Sequence, residues 1–171
     1  TVGSANVYQG LTLLGSGTIL NEAVKAQEIL QSQYNIAADV WSVTSYKELY
    51  MDAINVARWN MLHPDAQQTP YVEQCLEDAG HVVVAASDYM KALPCCIAQW
   101  IPRRLVPLGT DGFGRSDGRA QLRDYFEVDS RYITLAALYG LSREGKIKKE
   151  KLMQAISDLN IDPDKVNPVL I

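Results

Sequence analysis

The sequence is poor in the residues that most readily announce chemistry. Its 171 residues include only 2 histidines, 3 cysteines and 2 phenylalanines. The cysteines form an odd set, with Cys75 apart and Cys95-Cys96 adjacent, and neighbours in sequence rarely close on each other. No secreted disulfide framework follows, and the thiols read as the reduced thiols of a cytoplasmic compartment. Cys75 has the habits of a small buried hydrophobe. Structural zinc calls for Cys or His pairs roughly two to four residues apart, and His63 and His81 with these cysteines supply none. A surplus of positive charge is lacking as well. With 16 Lys+Arg against 20 Asp+Glu, the formal net charge is −4. Non-specific nucleic-acid binding is therefore excluded, because no excess of cations is available to displace phosphate counterions. No run approaches the roughly 18 continuous apolar residues of a membrane span, and no basic-apolar-small leader opens the chain. The first residue is Thr1 and not Met, which fits a piece processed or cut from something longer.

What is present is an ordinary globular composition, 47 % hydrophobic and 21 % charged, which excludes disorder and fibrous repeats. The length predicts one domain able to bury roughly two thirds of its unfolded surface without a disulfide or metal staple. Short apolar runs alternate with helical periodicity, the pattern of an α/β sheet with crossover helices. A first strand is expected from near Val7 to Leu14. It leads through Gly15-Ser16-Gly17 into a helix whose inward face is Ile19, Ala23, Val24, Ala26 and Leu30. Asp39-Val40-Trp41-Ser42-Val43 reads as a second strand. Ser45 and Glu48 then have capping-box spacing, so a helix starts there and turns Leu49, Ala53 and Val56 inward. Residues 58–68, with His63-Pro64, read as a loop, and Thr69-Pro70 as a cap with proline at the first helical position. A short helix burying Val72, Cys75 and Leu76 follows, ended by Gly80. His81 opens an apolar run through Ala86 that suits a central parallel strand covered on both faces. Asp88 is expected to cap the next helix, with Pro94 kinking or restarting it. Residues 105–108 make an edge strand, since Pro107 donates nothing to a ladder. Later helices turn Leu122 and Phe126, then Ile133, Ala136, Ala137 and Leu141, then Leu152, Ala155, Ile156 and Leu159 inward. The mixed-charge run at 146–151 reads as a solvated helix start.

Candidate sites are few. Gly15, Ser16 and Gly17 sit at a strand-to-helix turn, where free N–H groups and the helix dipole favour an anion. Leu20 stands where the dinucleotide fingerprint would need a third glycine, and no phosphate loop occurs, so a tight turn is the plainer reading. His63 is of a residue type that can act as acid or base, yet no carboxylate or nucleophile is set beside it in sequence. The densest segment is Gly109, Thr110, Asp111, Gly112, Phe113, Gly114, Arg115, Ser116, Asp117, Gly118 and Arg119, at the carboxyl end of a strand, where open α/β sheets bind ligands. It reads either as a loop for a small anion or a partner's charges, or as a self-satisfied turn. In the turn, Arg115 pairs with a carboxylate and Ser116 or Asp117 caps the next helix.

Several stretches taken together carry a resemblance. They are Leu13 to Gly17, Trp41-Ser42-Val43-Thr44-Ser45, Arg58-Trp59-Asn60-Met61-Leu62-His63-Pro64, Asp88-Tyr89-Met90-Lys91, Leu108 to Asp117, Tyr125 to Asp129, and Asp164 to Pro168. In this order they resemble the carboxyl-terminal domain of the homodimeric, bacterial-type pyruvate dehydrogenase decarboxylating component, a thiamine-diphosphate enzyme of the transketolase superfamily. Cys95-Cys96 and Gly118 depart from the expected polar residues. The resemblance implies a three-layer α/β domain over residues 1–171, with a mostly parallel sheet of about five strands. The parent it implies is a cytoplasmic oxidoreductase that decarboxylates pyruvate on thiamine diphosphate with Mg²⁺. That parent also reductively acetylates the lipoyl group of dihydrolipoyl acetyltransferase.

The same resemblance implies as partners the other domains of the subunit, a second subunit of a homodimer and the acetyltransferase, with neither nucleic acid nor membrane. His63 and Arg119 become candidate interface residues. The diphosphate and metal motif belongs to an amino-terminal domain and the activating Glu to a middle domain. Here Thr110 precedes Asp111-Gly112, so no catalytic or cofactor-binding residue is carried over, and this chain alone is expected to be inactive. Two other readings stay open: a small-anion or nucleotide-binding module, and the same domain from another 2-oxo acid decarboxylase.

Overall fold

The computed structural model describes residues 8–170. Its centre is a sheet of four parallel strands, β1 (Tyr8–Gly15), β2 (Ile36–Ser42), β3 (Val82–Ala86) and β4 (Arg104–Leu108), in the order β2-β1-β3-β4. About five strands are expected from the resemblance; four are found among the described residues, and Val7 lies outside them. In the inner pair, Leu11 stands opposite Val82 and Gly15 opposite Ala86. All five residues of β3 are buried, as a strand covered on both faces must be. Pro107 is confined to β4, at an edge, where a missing N–H does least harm.

Period-two alternation divides the core in two. Leu11, Leu13, Val82, Val84 and Ala86 face one side, and Leu14, Val83 and Ala85 the other. On the first side lie helices α1 (Leu20–Tyr34), α6 (Ser130–Arg143) and α7 (Lys149–Asp158). They contribute Ala23, Ala26, Leu30, Ile133, Ala137, Leu141 and Ala155. The second side is covered by α2 (Tyr46–Leu62), α3 (Tyr71–Cys75) and the segment around α4 (Ala92–Cys95), through Tyr46, Ala53, Val72 and Ile97. Each fully buried Leu, Ile or Val contributes about 1.5–3 kcal/mol, so these two layers carry most of the gross stabilisation. The layers follow from the strand order. From β1 the chain crosses to β2 on one side of the sheet, then returns past β1 to β3, and a single crossover hand places those connections on opposite faces.

Local expectations fare unevenly. Ser45 caps α2, accepting from the Glu48 N–H at 3.2 Å. That helix runs through Leu62, so residues 58–62 are helical and not loop. No glycine or proline interrupts them until Pro64, which bars His63 from the α region and stops the helix there. Val24 faces solvent, 40 % exposed, because the inward stripe of α1 is narrow and includes Glu22 in its place. Pro70 is itself the N-cap of α3, and the Tyr71 N–H is taken by the Asp52 carboxylate of α2 at 2.8 Å. α3 stops at Cys75, short of Gly80. Pro94 causes no kink, lying in the first turn of α4, where its lost donor has no intrahelical partner anyway. Among the described residues, no helix is long and apolar enough to cross a membrane.

The approach of α6 to β3 is set by a glycine. A Cβ on Gly140 would lie 2.5 Å from Cγ1 of Val82, a stiff, wholly buried side chain. Gly140→Ala should therefore destabilise by about 1–3 kcal/mol through overpacking, although alanine is the better helix former by about 1 kcal/mol. Urea unfolding checks the sign, and Val82→Ala in the same chain should recover part of the loss, as a coupled pair does.

Candidate functional site

The connections leaving β1 and β3 diverge, so the crevice between their carboxyl ends is the switch point where α/β sheets place ligands. Gly15 ends β1, and a short 3-10 turn over Gly17–Ile19 leads into α1. Gly17 has φ +60°, a left-handed conformation that glycine takes without strain. Facing it, Ser87 and Asp88 follow β3, and Thr110 to Gly112 follow β4. The three turns are laced together. Ser16 Oγ donates to Ser87 Oγ at 3.4 Å, and Thr18 Oγ1 to the Asp88 carboxylate at 3.0 Å. Thr110 Oγ1 donates to the Asp88 carbonyl at 2.8 Å. Asp88, expected as a helix cap, is thus a junction between loops.

Beneath them is a buried cluster that sequence reasoning missed. Arg123, on α5 (Arg119–Tyr125), and Glu22, on α1, are 9 % and 7 % exposed. One guanidinium nitrogen donates to Glu22 Oε1 at 3.2 Å; another donates to Thr18 Oγ1 at 3.0 Å and meets Asp88 at 3.5 Å. Lys25 reaches Glu22 Oε1 at 2.9 Å, and the Ser130 N–H at the start of α6 donates to Oε2 at 3.1 Å. Burial by itself would raise the Glu22 carboxyl. The Lys25 and Ser130 hydrogen bonds, with the charges of Lys25 and Arg123, outweigh it and hold the pKa below the usual range. Two carboxylates against two cations make the cluster formally neutral; Nη1 and Nη2 of Arg123 are engaged while its buried Nε has no hydrogen-bond partner, and the cluster works as a clamp. A signal was available in the sequence: Glu22 falls on the inward stripe of α1 between Ile19 and Ala26, where a charge needs a buried partner.

The structure divides Ser16, Gly17, Thr110, Gly112, Gly114 and Arg115 between two grooves that share Asp88, and Gly15, Asp111, Phe113 and Ser116 line neither. One, of about 490 Å³, is lined by Thr110, Gly112, Gly114, Arg115, Arg119 and Arg123. The other, of about 950 Å³, is lined by Ser16, Gly17 and Thr18 with residues 42–47. Among the described residues Arg115 pairs with no carboxylate; its guanidinium lies over the Tyr125 ring, 5.2 Å from the centroid. Neither Ser116 nor Asp117 caps α5. Gly118 is its N-cap, and Asp117 accepts from the Gly118 N–H at 2.7 Å. Phe113 projects from the loop, 81 % exposed. His63 is elsewhere, at the far end of the 17-residue α2, about 25 Å along the axis at ~1.5 Å per residue.

A diphosphate–Mg²⁺ site does not fit the residues present. Of the two carboxylates in the Gly-rich loop after β4, Asp111 accepts the Lys91 N–H at 2.9 Å and faces Lys91 Nζ at 3.7 Å, and Asp117 accepts the Gly118 N–H. Asp111 caps α4. Among the described residues no cluster of three His, Cys, Asp or Glu is placed to hold a metal ion. All three cysteines are free, and burial first, then the Asp111 charge, pushes the Cys95 thiol up, away from an activated nucleophile.

Because its folded pKa is depressed, Glu22 contributes stability that is fully present above its unfolded pKa of ~4.3 and is lost as pH falls through the folded value. Glu22→Gln should flatten the acid side of the stability profile, read as urea midpoints between about pH 3 and 7. Arg123→Met should cost on the order of 3 kcal/mol at neutral pH, since Glu22 then stays buried without its main-chain-spanning partner.

Comparison with known proteins places this architecture. The family described as the transketolase-like TK C-terminal domain matches residues 3–129. The pyruvate dehydrogenase E1 component of Pseudomonas aeruginosa is 48 % identical over 159 residues, covering 92 % of this chain and 18 % of that protein. The E1 component of Escherichia coli K12 is likewise 48 % identical over 160 residues, with the same coverage, and that of Mycolicibacterium smegmatis 42 % over 151. The chain thus spans about a fifth of the length of the relatives it matches. A solved structure described as a split gene transketolase, inactive beta4 tetramer, superimposes with TM-score 0.57 over 78 % of this chain and 39 % of that one, at 17 % identity, a likeness of fold. With most of its length matched by the family and its parallel sheet shared with that structure, the chain belongs to the transketolase-like TK C-terminal domain family.

Proposed function

We propose that the chain is the carboxyl-terminal packing and assembly domain of a pyruvate dehydrogenase E1 component, one folding unit over residues 1–171. The observation that carries this reading is 48 % identity across 92 % of the chain to 18 % of such a component. Residues that do not fit a diphosphate–metal site agree with it. In this reading the parent is a cytoplasmic homodimer that decarboxylates pyruvate on thiamine diphosphate with Mg²⁺ and passes the acetyl group to lipoyl groups of dihydrolipoyl acetyltransferase. The relatives' names favour pyruvate over another 2-oxo acid. This domain supplies no reacting group. Its part is a rigid surface, held by the Glu22–Arg123 clamp, against which the cofactor-bearing regions are set.

The purified chain, supplied with pyruvate, thiamine diphosphate and Mg²⁺, should release no CO₂ above the protein-free background. Measurable decarboxylation would overturn the reading. A second reading, an anion-binding module, is favoured by one observation: Arg115 and Arg119 line the 490 Å³ groove and form no ion pair among the described residues. Isothermal titration with phosphate, pyruvate and ADP separates the two. A saturable heat abolished by Arg119→Gln supports the anion module, and silence with all three supports assembly alone.

A further inference from the structure

The groove of about 490 Å³ after β4 holds an incomplete donor. Arg123 lines it and is only 9 % exposed. Its Nη1 donates to Glu22 and its Nη2 to Thr18, yet its Nε, equally buried, has no partner among the described residues. A buried donor left unmade carries its whole desolvation penalty, larger on a charged group, and an acceptor seated beside it removes that penalty. The longest of the Arg123 contacts is with Asp88, whose carboxylate meets Nη2 at 3.5 Å and is 41 % exposed, so Asp88 is the neighbour an entering oxyanion displaces most readily. The fork of N–H groups along one edge of a guanidinium matches the two oxygens of a carboxylate. Arg115 and Arg119 line the same groove, both exposed and neither in an ion pair among the described residues.

We infer that this groove is a subsite for a monocarboxylate with a short apolar body, its carboxylate held by Arg115, Arg119 and the Nε–H of Arg123. The inference rests on the anion-binding reading above, which it narrows to one class of ligand and extends by a third arginine, and it leaves the assembly role untouched. Charge selects the class. Three guanidiniums line the groove against the carboxylates of Asp88 and Asp117, while beneath them Glu22 and Lys25 cancel, so one positive charge is in excess. A single negative charge satisfies it. The second charge of a phosphate would be set against both aspartates, and like charges brought together weaken binding. Shape selects the body. Leu122, Phe126 and Val128 also line the groove, and each methylene buried against such side chains tightens binding about fourfold. The volume lies within the range of small-molecule sites, roughly 300–1,000 Å³, and is more than a bare ion fills.

The test titrates the 171-residue chain, carrying nitrogen-15 in its arginines, with butyrate, acetate and inorganic phosphate at neutral pH, and follows the Nε–H resonances by NMR and the heats by calorimetry. Butyrate should saturate and move the Arg123 Nε–H resonance downfield, as a proton entering a hydrogen bond moves. It should bind about tenfold more tightly than acetate, through its two further methylenes, and more tightly than phosphate. Arg119→Gln changes an exposed side chain outside the Glu22–Arg123 clamp, so the chain should keep its urea midpoint while butyrate binding weakens by at least about tenfold, as the loss of one hydrogen bond to a charged group requires. Butyrate binding that leaves the Arg123 resonance in place, that survives Arg119→Gln unchanged, or that acetate or phosphate equals overturns the inference and leaves the anion-binding reading standing. Silence with all three ligands overturns the anion-binding reading, and the monocarboxylate site with it.

Discussion

The ion pair between Glu22 and Arg123 is the constraint on which the carboxyl end of the sheet depends. It joins residues 101 apart in sequence. Its neighbours extend the link to the turn after β1 through Thr18, to the turn after β3 through Asp88, and to the first turn of α6 through the Ser130 N–H. Two charges buried this deeply would be a liability if either stood alone, so each fixes the placement of the other's element. α5 is only 7 residues long and has no side-chain cap; its position is set by Arg123 more than by its own helical preference. The sequence after β4 is held to the sequence around β1 by chemistry, where the layers below are held by shape.

That arrangement also explains why the switch point, the usual ligand site of such sheets, is read here as framework. Its polar atoms are spent on one another: Ser16 on Ser87, Thr18 and Thr110 on Asp88, Asp111 on Lys91. Further out, Arg115 and Arg119 form no ion pair among the described residues, and within the crevice the buried Arg123 Nε is without a hydrogen-bond partner.

Regular layers were legible in the sequence because they obey simple periods. The unbroken apolar run of Val82–Ala86, the 3.6-residue stripe of Ile133, Ala137 and Leu141, and the Ser45 cap each depend on residues near one another in the chain. The failures share a different character. Asp88 looked like a cap because aspartate before a helix usually is one; its partners, Thr18 and Arg123, are 70 and 35 residues away. Arg115 found an aromatic face where a carboxylate was expected, and residues 58–62 continued a helix that their irregular apolar pattern disguised. The candidate loops were located correctly at the strand ends, but which of their atoms are free depends on contacts made across the fold, and no local pattern encodes them.

The sheet's two borders have a consequence for how the molecule behaves among its own copies. A parallel sheet with open flanks is a template for adding strands from other molecules, and such growth is the common route to insoluble aggregates. β4 carries Pro107, which offers no donor to an incoming strand, and the Ala38 carbonyl of β2 is already taken by the Gln27 amide at 2.6 Å. Among the described residues both flanks are thus blunted by single residues and not by an added layer, which disfavours edge-to-edge pairing between copies of the chain.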